Sequence, residues 1–319
     1  MSQIKKNLSS KVQILIILLK LTRPEWGFIF AAVAGMVGLL YQLPWESIFV
    51  GWLSIYLFIA GHFSLNGFFD RKSDASNPRG LTLRNPLTDS VSISKEIVFW
   101  WVAFVWSLPI PINIFIVPNS LTFPKLLLAC FAYGIAVIGS TVYSVPPFRF
   151  KSRPFLDLVV TFFSIGFFVP FYVGLLGPNT LVSFDLLILG ILLNLILISG
   201  VHLPTMLIDL DIDKQAGDRT TAVYLGKKKT IYATSIVIAA RVAGLVLLNV
   251  YLMMEGILII SWIPFVLGAI ELLAVYNLLR RQTWESSLLL LKIVIITSSG
   301  GGVIFGLLYS PTLISAYLS

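Results

Sequence analysis

The sequence predicts an all-α, polytopic membrane protein with about nine transmembrane helices. Of its 319 residues, 57% are hydrophobic and only 12% are charged. A soluble domain covers its surface with roughly 25–35% charged residues, so this composition excludes a soluble protein of this size. Long apolar runs recur along the chain, and the basic residues gather between alternate runs. Both features are typical of a chain that crosses a bilayer many times.

The first 25 residues are predicted to form an interfacial helix. Their apolar core runs for eight residues, from Val12 to Leu19, and Lys20 ends it. A transmembrane helix needs about 20 apolar residues, and a signal peptide ends in a small-residue cleavage pattern that this segment lacks. An amphipathic helix on the membrane surface fits better than either.

Nine apolar runs close to the length of a membrane span follow this segment. Between them, the longest polar segments are 70–96 and 208–230, so no soluble domain remains and residues 1–319 are predicted to form a single transmembrane domain. The predicted spans are 26–43, 48–69, 97–116, 124–143, 155–176, 181–207, 231–253, 256–279 and 287–310.

The basic residues predict the orientation of the chain. Twenty of the 23 lysines and arginines lie in the N-terminal segment or in the loops after the even-numbered spans, and Lys125 is alone on the other side. Lysine and arginine accumulate on the cytoplasmic side of membrane proteins. We therefore expect the N-terminus and these loops to be cytoplasmic, most simply in the plasma membrane of a prokaryote.

Charge and cysteine content exclude two other classes. The net charge of +8 is dispersed beside apolar runs, which favours a lipid bilayer as the partner and not nucleic acid. The single cysteine, Cys130, excludes an intrachain disulfide and a cysteine-based zinc site.

Two acidic constellations close apolar spans on the predicted cytoplasmic side. Asn66, Asp70 and Asp74 are spaced by four residues at the end of the second span, and Asp209 and Asp213 repeat this spacing at the end of the sixth. Residues four apart share one face of a helix. An isolated aspartate at a helix end is usually a solvated cap, but two such pairs on one side of the membrane are a much stronger signal.

Carboxylates that share a helix face repel one another unless a cation lies between them. Mg²⁺ takes oxygen ligands and is commonly bridged to substrate phosphates, so Asp70, Asp74, Asp209 and Asp213 are predicted metal ligands. Nearby basic side chains are expected to bind the remaining phosphate oxygens. A charged head above a cavity of apolar helices suits a lipid diphosphate. The predicted basic residues are Arg71, Lys72, Arg79, Lys151, Lys214 and Arg219.

These residues resemble the UbiA superfamily of intramembrane prenyltransferases. The resemblance rests on Asn-x-x-x-Asp-x-x-x-Asp from Asn66, Asp-x-x-x-Asp-x-x-x-Gly from Asp209, and the following GDRTTAVYLG at 217–226. The segment YSVPPFRFK at 143–151 is similar to the chlorophyll-synthase-like and archaeal lipid-synthesis branches, and Arg23-Pro24 also fits. One departure is Gly67, since many members carry an aspartate after the asparagine.

The resemblance implies a helical bundle around a central cavity that opens to lipid. It implies Mg²⁺-dependent transfer of a prenyl group from a polyprenyl diphosphate, such as geranylgeranyl diphosphate, to a lipophilic acceptor. The acceptor would be an isoprenoid or glycerol lipid, a tetrapyrrole or a carotenoid. An aromatic quinone precursor is the alternative, and a cation-coupled secondary transporter is a more distant one. The site residues implied are Asn66, Asp70, Asp74, Asp209 and Asp213 for metal and diphosphate, with Arg23, Tyr143 and Lys151 beside them.

Four further polar residues lie within predicted spans. His62 and His202 each precede an acidic motif by about two helical turns, and they would either act on the acceptor, as base or hydrogen-bond partner, or join two helices. Arg241 and Glu271 fall at similar depths in the seventh and eighth spans, which favours a buried structural ion pair over a catalytic role.

Overall fold

The computed structural model describes residues 2–75, 85–88, 93–116, 122–177, 184–254 and 262–298. Over these ranges the regular structure is helical and includes no β-strand. The predicted all-α class is therefore confirmed.

The chain begins with helices α1 (Ser2–Leu21), α2 (Pro24–Leu40) and α3 (Trp45–Asp74). The predicted N-terminal helix is present as α1, while its location at the membrane surface stays a prediction. Pro24 opens α2, where a missing backbone N–H costs nothing because the first turn has no intrahelical acceptor for it. The third helix continues beyond the predicted apolar span, so that both aspartates of the first acidic motif lie on one helix.

A second group comprises α4 (Lys95–Ser107), α5 (Pro109–Ile116) and α6 (Phe123–Ser144). The single predicted span 97–116 is divided at Leu108, because Pro109 cannot donate a hydrogen bond to the preceding turn. Ser94 caps α4, its Oγ accepting the N–H of Ile97 at 3.5 Å.

The fifth predicted span is a helix with a π-helical centre. It consists of α7 (Leu156–Thr161), a π segment (Phe162–Phe167) and α8 (Phe168–Leu175). The Nδ2 of Asn194 donates to the carbonyl oxygens of Ile165 at 2.5 Å and Gly166 at 3.1 Å. These bonds stabilise backbone carbonyls that the wider π turn presents to a neighbouring helix.

The remaining helices are α9 (Phe184–Ala216), α10 (Thr221–Leu225), α11 (Lys227–Met254), α12 (Ile263–Arg281) and α13 (284–298). The sixth predicted span ends at 207, whereas α9 continues to residue 216. This extension places the whole second acidic motif on one helix. Gly217 then ends α9 at a φ of +80°, a conformation that residues with a Cβ rarely adopt.

The described helices fit a polytopic membrane protein. Six helical stretches in the described part of the chain are long and apolar enough to cross a bilayer, where α4 with α5 counts as one stretch and α7 with the π segment and α8 as another. The helix α2 is apolar but shorter, at 17 residues. The count of nine spans stays a prediction. Many large apolar side chains are exposed on the outside of the bundle, as expected where helices contact lipid. Examples are Trp100, Phe115, Phe131, Ile236 and Leu273.

Three hydrophobic clusters form the described core: the smallest lies around α1, α3 and α4, and the two larger ones border a cavity. One of the larger clusters joins α2, α3, α6 and α8, and the other joins α9 to α13 with the start of α2. The cavity is found where α2, α3, α6 and α7 face α9. The cavity therefore lies between two halves of the bundle, the helices of one cluster and those of the other, which also contact each other directly.

A buried ion pair holds the second half together. Arg241 of α11 donates from Nε and Nη2 to the Glu271 carboxylate of α12, at 3.0 Å and 2.8 Å. The hydroxyl of Thr297 in α13 donates to the same carboxylate. Gly200 of α9 packs against the Arg241 side chain, which a Cβ at that position would meet at 2.6 Å. The structural pair expected from sequence depth is present, and it connects four helices.

Candidate active site

The cavity has a volume of about 380 Å³, with charged and polar residues at one end and apolar residues at the other. Its polar end is formed where α3 and α9 end and α2 begins. Its apolar end includes Phe30, Phe58 and Ile165. Phe58 precedes Asp70 by twelve residues on α3, which corresponds to about 18 Å along the helix. The shape suits a molecule with a charged head and a hydrocarbon tail.

The α3 wall carries the first acidic motif. His62, Asn66, Asp70 and Asp74 all line the cavity, because residues four apart lie above one another on a helix. Asp70 is deeply buried, with 5% of its surface exposed. Asn66 accepts a hydrogen bond from the Ser144 hydroxyl at 3.3 Å, which connects this wall to the end of α6.

The α9 wall carries the second acidic motif on the opposite side. His202, Asp209 and Asp213 line the cavity, whereas Asp211 between the two aspartates is exposed. A residue two positions along a helix is rotated by about 200°, which explains why Asp211 points away. The structure thus brings both predicted carboxylate pairs to one cavity.

The connection from Val145 to Phe155 between α6 and α7, here called the strap, adds cationic groups. Lys151 Nζ contacts Asp70 Oδ1. The Arg149 Nη2 atom lies 3.5 Å from Asp70 Oδ1 and 3.0 Å from Asp218 Oδ2. Ser152 donates its hydroxyl to Asp218 Oδ1 at 2.6 Å. The strap therefore connects the first acidic motif to the segment that follows the second.

A third cation meets the other carboxylate of α3. Arg23 Nη2 lies 3.5 Å from Asp74 Oδ2, and Asn85 Nδ2 donates to the same oxygen at 2.9 Å. Burial raises the pKa of the Asp74 carboxyl above its ordinary value, while the charge of Arg23 opposes this shift. A carboxylate in this setting is stabilised by any further positive charge placed beside it.

A buried aspartate beside the cavity joins the start of α7 to the start of α10. Asp157, at the start of α7, accepts the backbone N–H of Thr221 at 2.7 Å and also its hydroxyl. The Thr221 hydroxyl oxygen accepts the N–H of Phe155 at 2.6 Å. Asp157 is 1% exposed, so this connection between α7 and α10 is shielded from water.

The inner part of the cavity combines histidines, hydroxyls and aromatic rings. His62 Nδ1 is 2.7 Å from the Ser140 hydroxyl, and its ring centre lies 5.6 Å from that of Tyr143. Trp26 and Phe63 also line this part. An aromatic wall of this kind can stabilise a cation through its π faces.

Four basic residues predicted from sequence proximity do not line the cavity. Their side chains are exposed, and the guanidinium of Arg71 lies 4.9 Å above the ring of Phe68. Three residues that the sequence analysis missed do line it, namely Asn85, Asp157 and Asp218. A fourth, Arg149, lies outside this lining and contacts Asp70 and Asp218. The predicted Arg79 lies outside the described residues. The GDR sequence beginning at Gly217 was a signal for Asp218, whereas nothing local marked Asn85. The four exposed residues are Arg71, Lys72, Lys214 and Arg219.

The oxygen ligands that line the cavity suit a hard divalent cation that is bound by the protein and a substrate together. The cavity presents carboxylate and amide oxygens from two facing helices, which are the ligands that Mg²⁺ prefers. Within the described ranges, no three His, Cys, Asp or Glu side chains cluster closely enough to form a metal site by themselves. Mg²⁺ is usually bound by one or two carboxylates plus phosphate oxygens and waters, so this arrangement fits.

Comparison with protein families gives a match over most of the chain. The model of the UbiA prenyltransferase family matches residues 26–310. This range includes both acidic motifs and the strap.

Individual proteins show the same similarity. The lycopene elongase/hydratase of Haloarcula japonica is 26% identical over 224 residues, which cover 67% of this chain and 69% of that protein. The structure of a UbiA homologue from Archaeoglobus fulgidus has a TM-score of 0.61 and 20% identity, covering 94% of this chain and 99% of that one. The structure of a UbiA homologue from the same organism bound to GPP and Mg²⁺ has a TM-score of 0.58 and 19% identity, covering 91% and 99%. These structures share the fold of this chain.

Proposed function

Because the chain belongs to the UbiA prenyltransferase family, we propose that it transfers a prenyl group from a prenyl diphosphate to an apolar isoprenoid acceptor in the membrane, with Mg²⁺ as cofactor. The observation that carries this proposal is the pair of carboxylate motifs facing each other across one cavity. The UbiA homologue with bound GPP and Mg²⁺ supports both the donor class and the metal.

Bound Mg²⁺ would neutralise the diphosphate and so assist departure of the leaving group. Asp70 and Asp74 on one wall, and Asp209 and Asp213 on the other, would hold the metal. Asn66 adds an amide oxygen to the first wall. These residues lie at the polar end of the cavity, where the charged head of the donor would be bound.

The basic side chains would bind the phosphate oxygens that the metal leaves uncovered. Lys151, Arg149 and Arg23 lie beside the α3 carboxylates and within reach of the same head group. The exposed residues Arg71, Lys72, Lys214 and Arg219 are placed to attract the anionic donor at the membrane surface.

We propose the following reaction in the inner cavity. The C–O bond of the donor breaks first, and the electron pair of this bond leaves with the diphosphate. Electrons of an acceptor carbon–carbon double bond then form a new bond to C1 of the prenyl group. The resulting cation loses a proton or takes up water with release of a proton. Trp26, Phe63 and Tyr143 line this region and would stabilise positive charge through their rings.

A carotenoid is the acceptor class that the comparisons support best. The relative from Haloarcula japonica is named a lycopene elongase/hydratase, and the apolar end of the cavity suits a hydrocarbon chain. The histidines His62 and His202, which line the cavity below the acidic motifs, are proposed to contact the reacting end of the acceptor.

Product analysis tests this proposal. Membranes containing the protein should convert labelled dimethylallyl, geranyl or geranylgeranyl diphosphate and lycopene into an elongated carotenoid, detected by chromatography and mass spectrometry. EDTA should abolish the product and excess Mg²⁺ should restore it. Parallel reactions would contain geranylgeranylglyceryl phosphate, chlorophyllide or hydroxybenzoate. Transfer to hydroxybenzoate alone would contradict the carotenoid assignment, and activity after exhaustive chelation would contradict the metal.

The active site is proposed to face the cytoplasm. The N-terminal segment and the loops at the polar end contain most of the basic residues, and the positive-inside bias places such segments in the cytoplasm. A charged diphosphate made in water would then reach the site without crossing the bilayer.

Cysteine labelling tests this orientation. In a Cys130→Ser background, Gln215→Cys should react with a membrane-impermeant thiol reagent in inside-out vesicles but not in intact cells, since residue 215 is exposed at the polar end of α9. Thr122→Cys, exposed at the opposite end of α6, is the matched control and should show the reverse pattern. Labelling of residue 215 in intact cells would overturn the orientation. A second cysteine at Ser76 would extend the test to a position outside the described residues.

A further inference from the structure

The two α3 carboxylates of the site are already paired with cations. Lys151 and Arg149 both meet Asp70 Oδ1, and Arg23 meets Asp74 Oδ2. Under the proposed function, these cations would bind the diphosphate and these carboxylates would bind Mg²⁺. Each group is thus held by a partner that would have to be exchanged during binding.

Burial makes these pairings important. Asp70 is 5% exposed, and a buried carboxylate is costly unless a positive charge accompanies it. Binding of Mg²⁺ alone would bring a divalent cation toward Lys151 and Arg149, which would oppose it. Binding of the diphosphate alone would draw Lys151 away from Asp70 and place two anions side by side. Binding of both together gives every charge a partner.

We propose that the donor diphosphate and Mg²⁺ bind cooperatively through this exchange: Lys151, Arg149 and Arg23 pass from Asp70 and Asp74 to the diphosphate as Mg²⁺ takes the carboxylates. The proposal rests on the proposed function and adds how its two ligands are coupled. In this proposal Lys151 weakens the binding of Mg²⁺ when the donor is absent and strengthens the binding of the donor.

The surrounding contacts anchor the strap that carries Lys151 and Arg149. Arg149 is held by Asp218 at 3.0 Å and donates from Nε to the Ser152 hydroxyl at 2.9 Å, so its contact with Asp70 at 3.5 Å is the looser one. The N–H of Phe155, the last residue of the strap, donates to the Thr221 hydroxyl at 2.6 Å. Asp157 of α7 accepts the backbone N–H of Thr221, so α10 holds this end of the strap. Lys151 carries its ammonium group on a flexible four-carbon chain, which allows this group to change partners.

Metal and donor affinities of Lys151→Met test the exchange. The probes are Mn²⁺, followed by electron paramagnetic resonance, and labelled geranyl thiolodiphosphate, a donor analogue with a carbon–sulfur bond. Both are titrated into purified protein in nanodiscs, after the binding of Mn²⁺ to the free analogue has been measured. In the unaltered protein the analogue should tighten Mn²⁺ binding by about 5- to 150-fold, the usual range of coupling between sites.

Lys151→Met should shift the two affinities in opposite directions. Mn²⁺ alone should bind several-fold more tightly, the analogue alone several-fold more weakly, and the coupling factor should fall. A purely structural role for Lys151 would weaken both. Arg23→Gln removes the cation beside Asp74 and should likewise tighten Mn²⁺ binding and weaken binding of the analogue. This variant replaces Lys151→Met in the test if Lys151→Met fails to fold. The control is Lys228→Met, an exposed lysine at the start of α11, which should change neither affinity.

Two failures are distinguishable. If the unaltered protein binds no Mn²⁺ even with the analogue, the proposed function itself fails. If it binds Mn²⁺ but both Lys151→Met and Arg23→Gln weaken Mn²⁺ binding or leave it unchanged, the exchange is overturned and the proposed function stands.

Discussion

Alanine at Asp70 or at Asp209 is expected to lower the rate of prenyl transfer by about 10²- to 10³-fold. Each substitution removes a carboxylate from one wall of the cavity. Stabilisation of a leaving group by a metal is worth several kcal/mol, and each 1.36 kcal/mol is about tenfold in rate. The measurement is the initial rate of product formation in membranes, normalised to the amount of protein found by immunoblotting.

Asp211→Ala is the matched control for this prediction. It removes the same charge from the same helix, but Asp211 is exposed and does not line the cavity. We expect its rate to stay within about twofold of the unaltered protein, as is usual for surface substitutions. An equal loss in all three variants would mean that catalysis does not depend on the cavity face of α9.

Alanine at Glu271 is expected to destabilise the protein by about 3–5 kcal/mol, the usual cost of removing one partner of a buried ion pair. Arg241 is 1% exposed, so its guanidinium would remain charged among apolar side chains without its carboxylate. The substitution also removes one of the two acceptors of the Thr297 hydroxyl in α13, the other being the Val294 carbonyl oxygen at 3.0 Å. Thermal unfolding in detergent, compared with the unaltered protein under identical conditions, would reveal the loss.

The double variant Arg241→Met with Glu271→Leu is the informative companion. It removes both charges and keeps similar volumes, so it should be more stable than Glu271→Ala. An unfolding temperature of Glu271→Ala equal to that of the unaltered protein would contradict a structural role. A double variant less stable than the single one would instead indicate that Arg241 is stabilised by other groups.

Local spacing and composition carried much of the prediction. The all-α class follows from apolar runs that are long enough to span a bilayer. The bilayer offers no hydrogen-bond partners to the backbone, and a helix satisfies all its backbone groups within one segment. The facing of Asn66, Asp70 and Asp74 follows from the helical period, as does the outward direction of Asp211. The Arg241–Glu271 ion pair was predicted from the similar depths of the two residues in their spans, because opposite charges within a membrane usually pair with each other.

Loop geometry was beyond such reasoning. Sequence proximity selected Arg71 because it directly follows Asp70, although the helical period already turns it by about 100°, and it lies outside the cavity. The strap instead brings Arg149 to both Asp70 and Asp218, residues 79 and 69 positions away in the chain.

The helices, their apolar character and the set of aspartates that share a face could therefore be predicted from the chain, because these depend on interactions over a few residues. The tertiary structure alone decided which cations meet those aspartates and which buried groups hold the loops in place. Asp157 and Thr221 illustrate the reason: their hydrogen bonds join segments 64 residues apart, and such a contact depends on how whole helices pack and on the path of the loops between them. No periodicity in the chain encodes that path.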